Sequence, residues 1–135
     1  MFHDIRDYEN TKFIDRYKLK SYLNVNEFKN ILDFLIDKYE IISSSQISNI
    51  KNNSSKFAVL TFDDGLLDHY FVAEILNDVG IPGTFLIPTQ AVRDRVIMNA
   101  HKIQFLLASI DEKDLVKRIL KLTPKHISNK YLWDK

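Results

Sequence analysis

Two periods of hydrophobicity take turns along the chain, and each change of period marks an element. Phe28, Ile31, Leu32, Leu35, Ile36 and Tyr39 recur at steps of three and four, which predicts a helix over 24–39 with one apolar stripe. Asn24 stands where its N-cap belongs, and Glu27, three residues on, completes a variant of the capping box. Ile41 and Ile42 predict a short strand. The polar stretch Ser43–Ser55 reads as a connection holding one short helix at 45–49, because Ser and Asn favour turns and caps. Phe57-Ala58-Val59-Leu60-Thr61-Phe62 is a continuous run without alternation, the pattern of a strand buried on both faces of a parallel sheet. Phe71, Val72, Ile75, Leu76 and Val79 predict the next helix, capped by Asp68 and closed by Gly80 and Pro82. Thr84–Ile87 is the following strand. Strand, helix and strand in this order form a βαβ unit, with parallel strands and a right-handed crossover. Helical periodicity returns over 99–109 and 111–122. Asp111 and Glu112 open the second of these helices, and Lys117, Arg118 and Lys121 lie near its end, as the helix dipole favours. Phe2–Ile5 predicts a short first strand.

Composition narrows the classes of function more than the fold. A length of 135 residues, 45% hydrophobic and 27% charged, suits one ordinary packed domain. Lys and Arg number 19 against 18 Asp and Glu, so neither a nucleic acid nor an acidic membrane is the expected partner. The chain has no cysteine, which excludes a disulfide framework, a thiol nucleophile and a cysteine zinc site. Any metal would be held by His, Asp, Glu or backbone oxygen. No apolar stretch is long enough to span a bilayer, and the N-terminus lacks the apolar centre of a signal peptide. A cytoplasmic location is the default expectation.

Chemistry concentrates at Thr61-Phe62-Asp63-Asp64-Gly65. Two adjacent carboxylates follow a buried strand, and a desolvated carboxylate is expensive without a partner. A strand leading into a helix puts the connecting loop at the strand's C-terminal end, the face where sites of parallel α/β folds lie. Gly65 permits a tight turn there, so that one carboxylate can bind a cation while its neighbour stays free as a base. Asp-Gly is also a common hairpin signal, but the residues after it repeat with a helical period rather than alternating. The acidic spacing and later Glu of an EF-hand are missing. Paired aspartates also hold magnesium in phosphoryl transfer, but here they have neither a glycine-rich phosphate loop nor an obvious lysine partner.

The motif Thr61-Phe62-Asp63-Asp64-Gly65 resembles the first motif of the polysaccharide deacetylases, the carbohydrate esterases related to nodulation protein B. The likeness extends to the helix at 24–39, the Ser-rich connection and Val79-Gly80-Ile81-Pro82-Gly83-Thr84-Phe85-Leu86. FHDIRDY at the start is similar to the family's opening strand, and the resemblance runs to about Ser109. It implies a partial (β/α) barrel of the polysaccharide deacetylase type, with parallel strands and flanking helices. The implied reaction is metal-dependent hydrolysis of acetyl groups, N-acetyl before O-acetyl, from an oligo- or polysaccharide. Asp63 would be the general base and Asp64 a ligand of a divalent metal, zinc first.

The family's second motif carries two metal-binding histidines four residues apart. Its counterpart here is Asn99-Ala100-His101-Lys102-Ile103-Gln104-Phe105. His101 matches the first ligand, but Phe105 stands where the second should be, and Gln104 offers only a carbonyl oxygen. Thr61 and His3 are further residues expected to line the site. His3, at the end of the first strand, and His69, in the first turn of the next helix, are the other possible ligands, with an ordinary surface or capping histidine the commoner role for both; His126 is expected to be structural or solvent-exposed. The later motifs, which bring an arginine, an aspartate and a last histidine, have no counterpart. Four expected strands are too few to close a barrel. Residues 1–135 are therefore expected to form a single truncated deacetylase-like domain with a helical extension over 110–135, and Trp133 to cover exposed core or an interface. Self-association through an open sheet edge, or a missing C-terminal portion, follows as an expectation. The alternative function is a non-catalytic sugar- or partner-binding fragment of the same fold.

Overall fold

Asn24 does begin a helix. In a computed structural model, which describes residues 1–7, 19–51 and 54–123, its side chain accepts from the Glu27 N–H at 2.8 Å. The Asn24 N–H in turn donates to Glu27 Oε2 at 2.9 Å, completing a reciprocal capping box. The elements in chain order are β1 (Asp4–Ile5), β2 (Tyr22–Leu23), α1 (Val25–Lys38), β3 (Glu40–Ile41), a 3-10 helix (Ser44–Asn49), β4 (Phe57–Ala58), β5 (Leu60–Phe62), α2 (Asp68–Asp78), β6 (Gly83–Phe85), α3 (Thr89–Asp94), α4 (Asn99–Ser109) and α5 (Glu112–Leu122). Trp133 and His126 lie outside the described residues, as does the extension beyond Thr123.

The strands pair in parallel: β1 with β2, β3 with β4, and β5 with β6. This is a mixed α/β arrangement of short parallel strand pairs and helices, and among the described residues the strands do not close a barrel. The expected single strand over 57–62 divides at Val59, where the neighbour changes from β3 to β6. Leu60 and Phe62 are buried, but Phe57, Ala58, Val59 and Thr61 are only half-buried, so the run is not covered on both faces as expected. In β5–β6 the register sets Leu60, Thr61 and Phe62 opposite Gly83, Thr84 and Phe85. A bridge from Phe2 to Phe62 ties the start of the chain to the other side of β5.

The described chain falls into two units, one comprising 1–7, 20–51 and 54–96, the other Leu19 with 97–123. The first unit holds the core: Ile5, Phe28, Leu32, Leu60, Phe62, Val72 and Leu76 form one buried cluster. Phe62 is its hub, fully buried, with ring centroids of Phe85 at 4.9 Å, Phe2 at 5.4 Å and Phe28 at 6.0 Å. Burying one such ring stabilises by about 2–3 kcal/mol. Gly83 lets α2 lie close on β6, because a Cβ there would stand 2.7 Å from Leu76 Cδ1.

Two expectations for α2 are corrected. Asp68 is not its cap: Leu67 holds that position without a side-chain hydrogen bond, and Asp68 pairs with Arg6 instead. The buried positions are His69, Val72 and Leu76, whereas Phe71 and Val79 are exposed. A histidine occupies the core-facing place at the helix start, which turns the apolar stripe away from Phe71. The C-terminus behaves as expected. Gly80, at φ 68°, donates to Asn77 O, and Ile81 N–H donates to Leu76 O, which together form a Schellman motif.

In the second unit α4 and α5 contact each other. Asp111 caps α5, accepting from the N–H groups of Lys113 and Asp114. Among the described residues, no helix is long and apolar enough to cross a membrane.

Candidate functional site

The site begins where β5 ends. After Phe62 the chain turns through Asp64 and Gly65, both with left-handed backbone, at φ 79° and 58°. Asp tolerates this region better than most residues, but a non-glycine residue held there stores of order 1 kcal/mol or more. Gly65 is required sterically as well, since a Cβ would lie 3.0 Å from Ile87 Cγ2. The turn is thus wedged against the segment that follows β6.

The chain start lies along the other flank. Phe2 N–H donates to Thr61 O at 2.8 Å, and Asp63 N–H donates to Phe2 O at 3.0 Å. This ladder places the next residue, His3, beside the turn, with Nδ1 3.6 Å from Asp64 Oδ2. The imidazole is half exposed and the carboxylate partly buried. His69, in the first turn of α2, holds the same segment from below the turn: its Nε2 lies 2.6 Å from the His3 carbonyl. A carbonyl only accepts, so His69 Nε2 carries the proton. Arg6 adds a second clamp, with Nε 2.7 Å from Asp4 Oδ1 and a terminal nitrogen 2.5 Å from Asp68 Oδ2. It satisfies Asp4, which is only 5% exposed, and joins β1 to the start of α2.

Sequence reasoning placed Asp63, Asp64 and His3 near one another but did not foresee Arg6, and the surface or capping role expected of His69 is corrected: it is buried and holds the His3 carbonyl. The D-x-R spacing of Asp4 and Arg6 was a local signal of the first clamp. No local signal reveals the contact of His69, which joins residues 66 positions apart. Asp63 Oδ1 is buried with no hydrogen-bond partner among the described residues, as is His69 Nδ1. Thr61 stands in the β5–β6 ladder opposite Thr84 and binds Phe2 through its carbonyl. His101 and Gln104 lie on α4 in the second unit, where His101 is buried and its Nδ1 is 3.4 Å from Gln104 Oε1. Beside the turn a cavity of about 300 Å³ is lined by Gly65, Leu66, His69, Tyr70, Phe85 and Ile87, an apolar wall with one imidazole in it.

No protein-family model matches the chain, and neither the curated proteins nor the solved structures give a match. The family resemblance of the motif therefore rests on the residues themselves.

The donor set can be tested against a divalent metal. Catalytic zinc takes three protein ligands, usually imidazole and carboxylate. Among the described residues, no three His, Asp or Glu side chains gather into such a group. Two donors of the right kind do converge, His3 and Asp64, next to a buried carboxylate oxygen of Asp63 that has no partner among the described residues. Two donors are one short of the three that catalytic zinc takes, so the described residues of the first unit do not by themselves make up a zinc site.

Proposed function

We propose that the chain is a polysaccharide deacetylase-like hydrolase, acting on N-acetyl groups of an oligo- or polysaccharide, on a partial barrel of that type. The observation that carries this reading is the Asp63-Asp64-Gly65 turn at the end of β5, with an imidazole beside Asp64 and a neighbouring Asp63 oxygen that has no hydrogen-bond partner among the described residues. A buried carboxylate oxygen without a hydrogen bond is costly as structure and useful as a base. Asp64 and an imidazole would hold the metal, which when bound polarises the acetyl carbonyl and acidifies water. Asp63 takes the proton from the attacking water. As the C–O bond forms and the C–N bond breaks, that proton is the one the leaving amine requires, so water and an acetamide give acetate and a free amine. The wedged turn keeps both carboxylates in place, and the apolar cavity beside it suits a sugar ring face or acyl methyl.

Acetate release from N-acetylated chito-oligosaccharides, measured with and without added zinc, tests this reading. Release that needs zinc and falls at least about 100-fold in Asp63→Asn, the lower bound for losing a general base, is the expected result. A second reading is favoured by Phe105, which stands where a second imidazole of the family's motif would be: a sugar-binding domain without turnover. In that case the same oligosaccharides shift NMR resonances around Asp63 while no acetate appears.

A further inference from the structure

We propose that the cavity between the start of α2 and the end of β6 binds an uncharged, ring-sized molecule that carries a hydrogen-bond donor, and that the His69 imidazole reads the donor. The assignment stands apart from the hydrolase reading, which concerns the carboxylates of the neighbouring turn.

The walls set the size and the polarity. His69 and Ala73 are four residues apart and Tyr70 and Ala73 three, so one face of α2 supplies all three. Phe85 and Ile87, two apart at the end of β6, supply the other wall. The cavity measures about 300 Å³, at the lower end for small-molecule sites. An apolar cavity of about 150 Å³ already accepts benzene, so one ring and its substituents fit here. Leu67 and Tyr70, also in the lining, are 90% and 74% exposed, so the outer wall can move aside by rotamer changes without disturbing the core.

The imidazole sets the polar group of the ligand. His69 is 5% exposed, and its ring packs on Phe85 with centroids 5.9 Å apart. Its Nε2–H is committed to the His3 carbonyl at 2.6 Å, so the neutral ring offers only a lone pair at Nδ1. That nitrogen is buried with no hydrogen-bond partner among the described residues. A buried acceptor left unpaired is destabilising and uncommon in native structures. The clamp on His3 accounts for Nε2 and leaves Nδ1 without a role. A ligand hydroxyl or amide N–H supplies the donor that Nδ1 lacks. A carboxylate or phosphate brings only further lone pairs, and no lining side chain is a Lys or Arg that could hold its charge.

Phenol, toluene and benzoate test this on the full chain. Phenol and toluene are nearly the same size, and only phenol donates; benzoate is an anion. Binding is followed by NMR at about pH 8, above the ordinary imidazole range, with the His69 ring nitrogens observed directly. Phenol is expected to bind at least about fivefold tighter than toluene, the low end for leaving a buried polar group unpaired, and to move the Nδ1 resonance; benzoate is expected not to bind. His69→Phe keeps a ring in the wall and removes the acceptor, so the preference for phenol over toluene should vanish. Ala73→Leu fills the cavity and should abolish binding of both, with circular dichroism verifying the fold of each variant. If His69→Phe does not fold, the Nδ1 resonance and Ala73→Leu decide. Toluene bound as tightly as phenol, a preference for benzoate, phenol bound with Nδ1 unmoved or still bound in Ala73→Leu, or no binding at all would each overturn the assignment. None of these results bears on acetate release, so the hydrolase reading stands or falls separately.

Discussion

Single residues decide the shape of the turn after β5. Gly65 combines a left-handed backbone with a Cβ position 3.0 Å from Ile87, so Gly65→Ala is expected to cost about 1–3 kcal/mol, read as a lower urea midpoint at unchanged slope. Asp64 behaves in the opposite sense. Asp64→Gly removes the left-handed strain and should leave stability unchanged or raise it by up to about 1 kcal/mol, while zinc binding disappears. A gain in stability bought with a loss of binding marks a residue kept for chemistry. Asp63, Asp64 and Gly65 were legible in the sequence because neighbours in a tight turn stay neighbours in space. The contact that holds the His3 backbone was not, since His69 meets the chain start only once β5 and α2 are assembled. His101 was legible as a helical histidine with Gln104 three residues on, and the two do approach each other.

At the level of elements, what depends on local chemistry was readable and what depends on neighbours was not. The capping box of α1 and the Schellman close of α2 use residues within one turn of each other, and both stand where the sequence placed them. Asn24→Ala should therefore cost about 1 kcal/mol of stability, measured by thermal or urea unfolding, with zinc binding unaffected. The break at Val59 was hidden, because a continuous apolar run cannot show that its two halves pair with different strands. The stripe of α2 was misread for a related reason: hydrophobicity alone assigns Phe71 and Val79 to the core, whereas the helix buries His69 in their stead. Gly83 shows how close that packing is. Gly83→Ala puts a methyl 2.7 Å from Leu76 Cδ1 and should destabilise by about 1–3 kcal/mol through overpacking.

Across the molecule, stability is unevenly distributed. Every buried hydrophobic side chain among the described residues belongs to the first unit, from Ile5 to Leu76. Among the described residues of the second unit only His101 is buried, and α5 leaves Val116, Ile119, Leu120 and Leu122 exposed. Backbone amides of β5, α1 and α2 are expected to be the slowest to exchange with deuterium and those of α5 among the fastest; equal protection in α5 and α2 would contradict this distribution. The parallel α/β character was legible in the βαβ pattern of 57–87, but the extent of the sheet was not, because strands of two or three residues leave almost no periodic signal.

The double hydrogen bonding of Phe2 to Thr61 and Asp63 has one more consequence. It makes the chain start a structural member of β5, so an ion bound at the Asp63–Asp64 turn would meet its site only in the native state and would find it dispersed in the denatured chain. By thermodynamic linkage, zinc held there should stabilise the fold by about 2.7 kcal/mol at a hundredfold excess over the dissociation constant, and the melting temperature should climb with the logarithm of its concentration. The thermometer thereby becomes an assay for the ion.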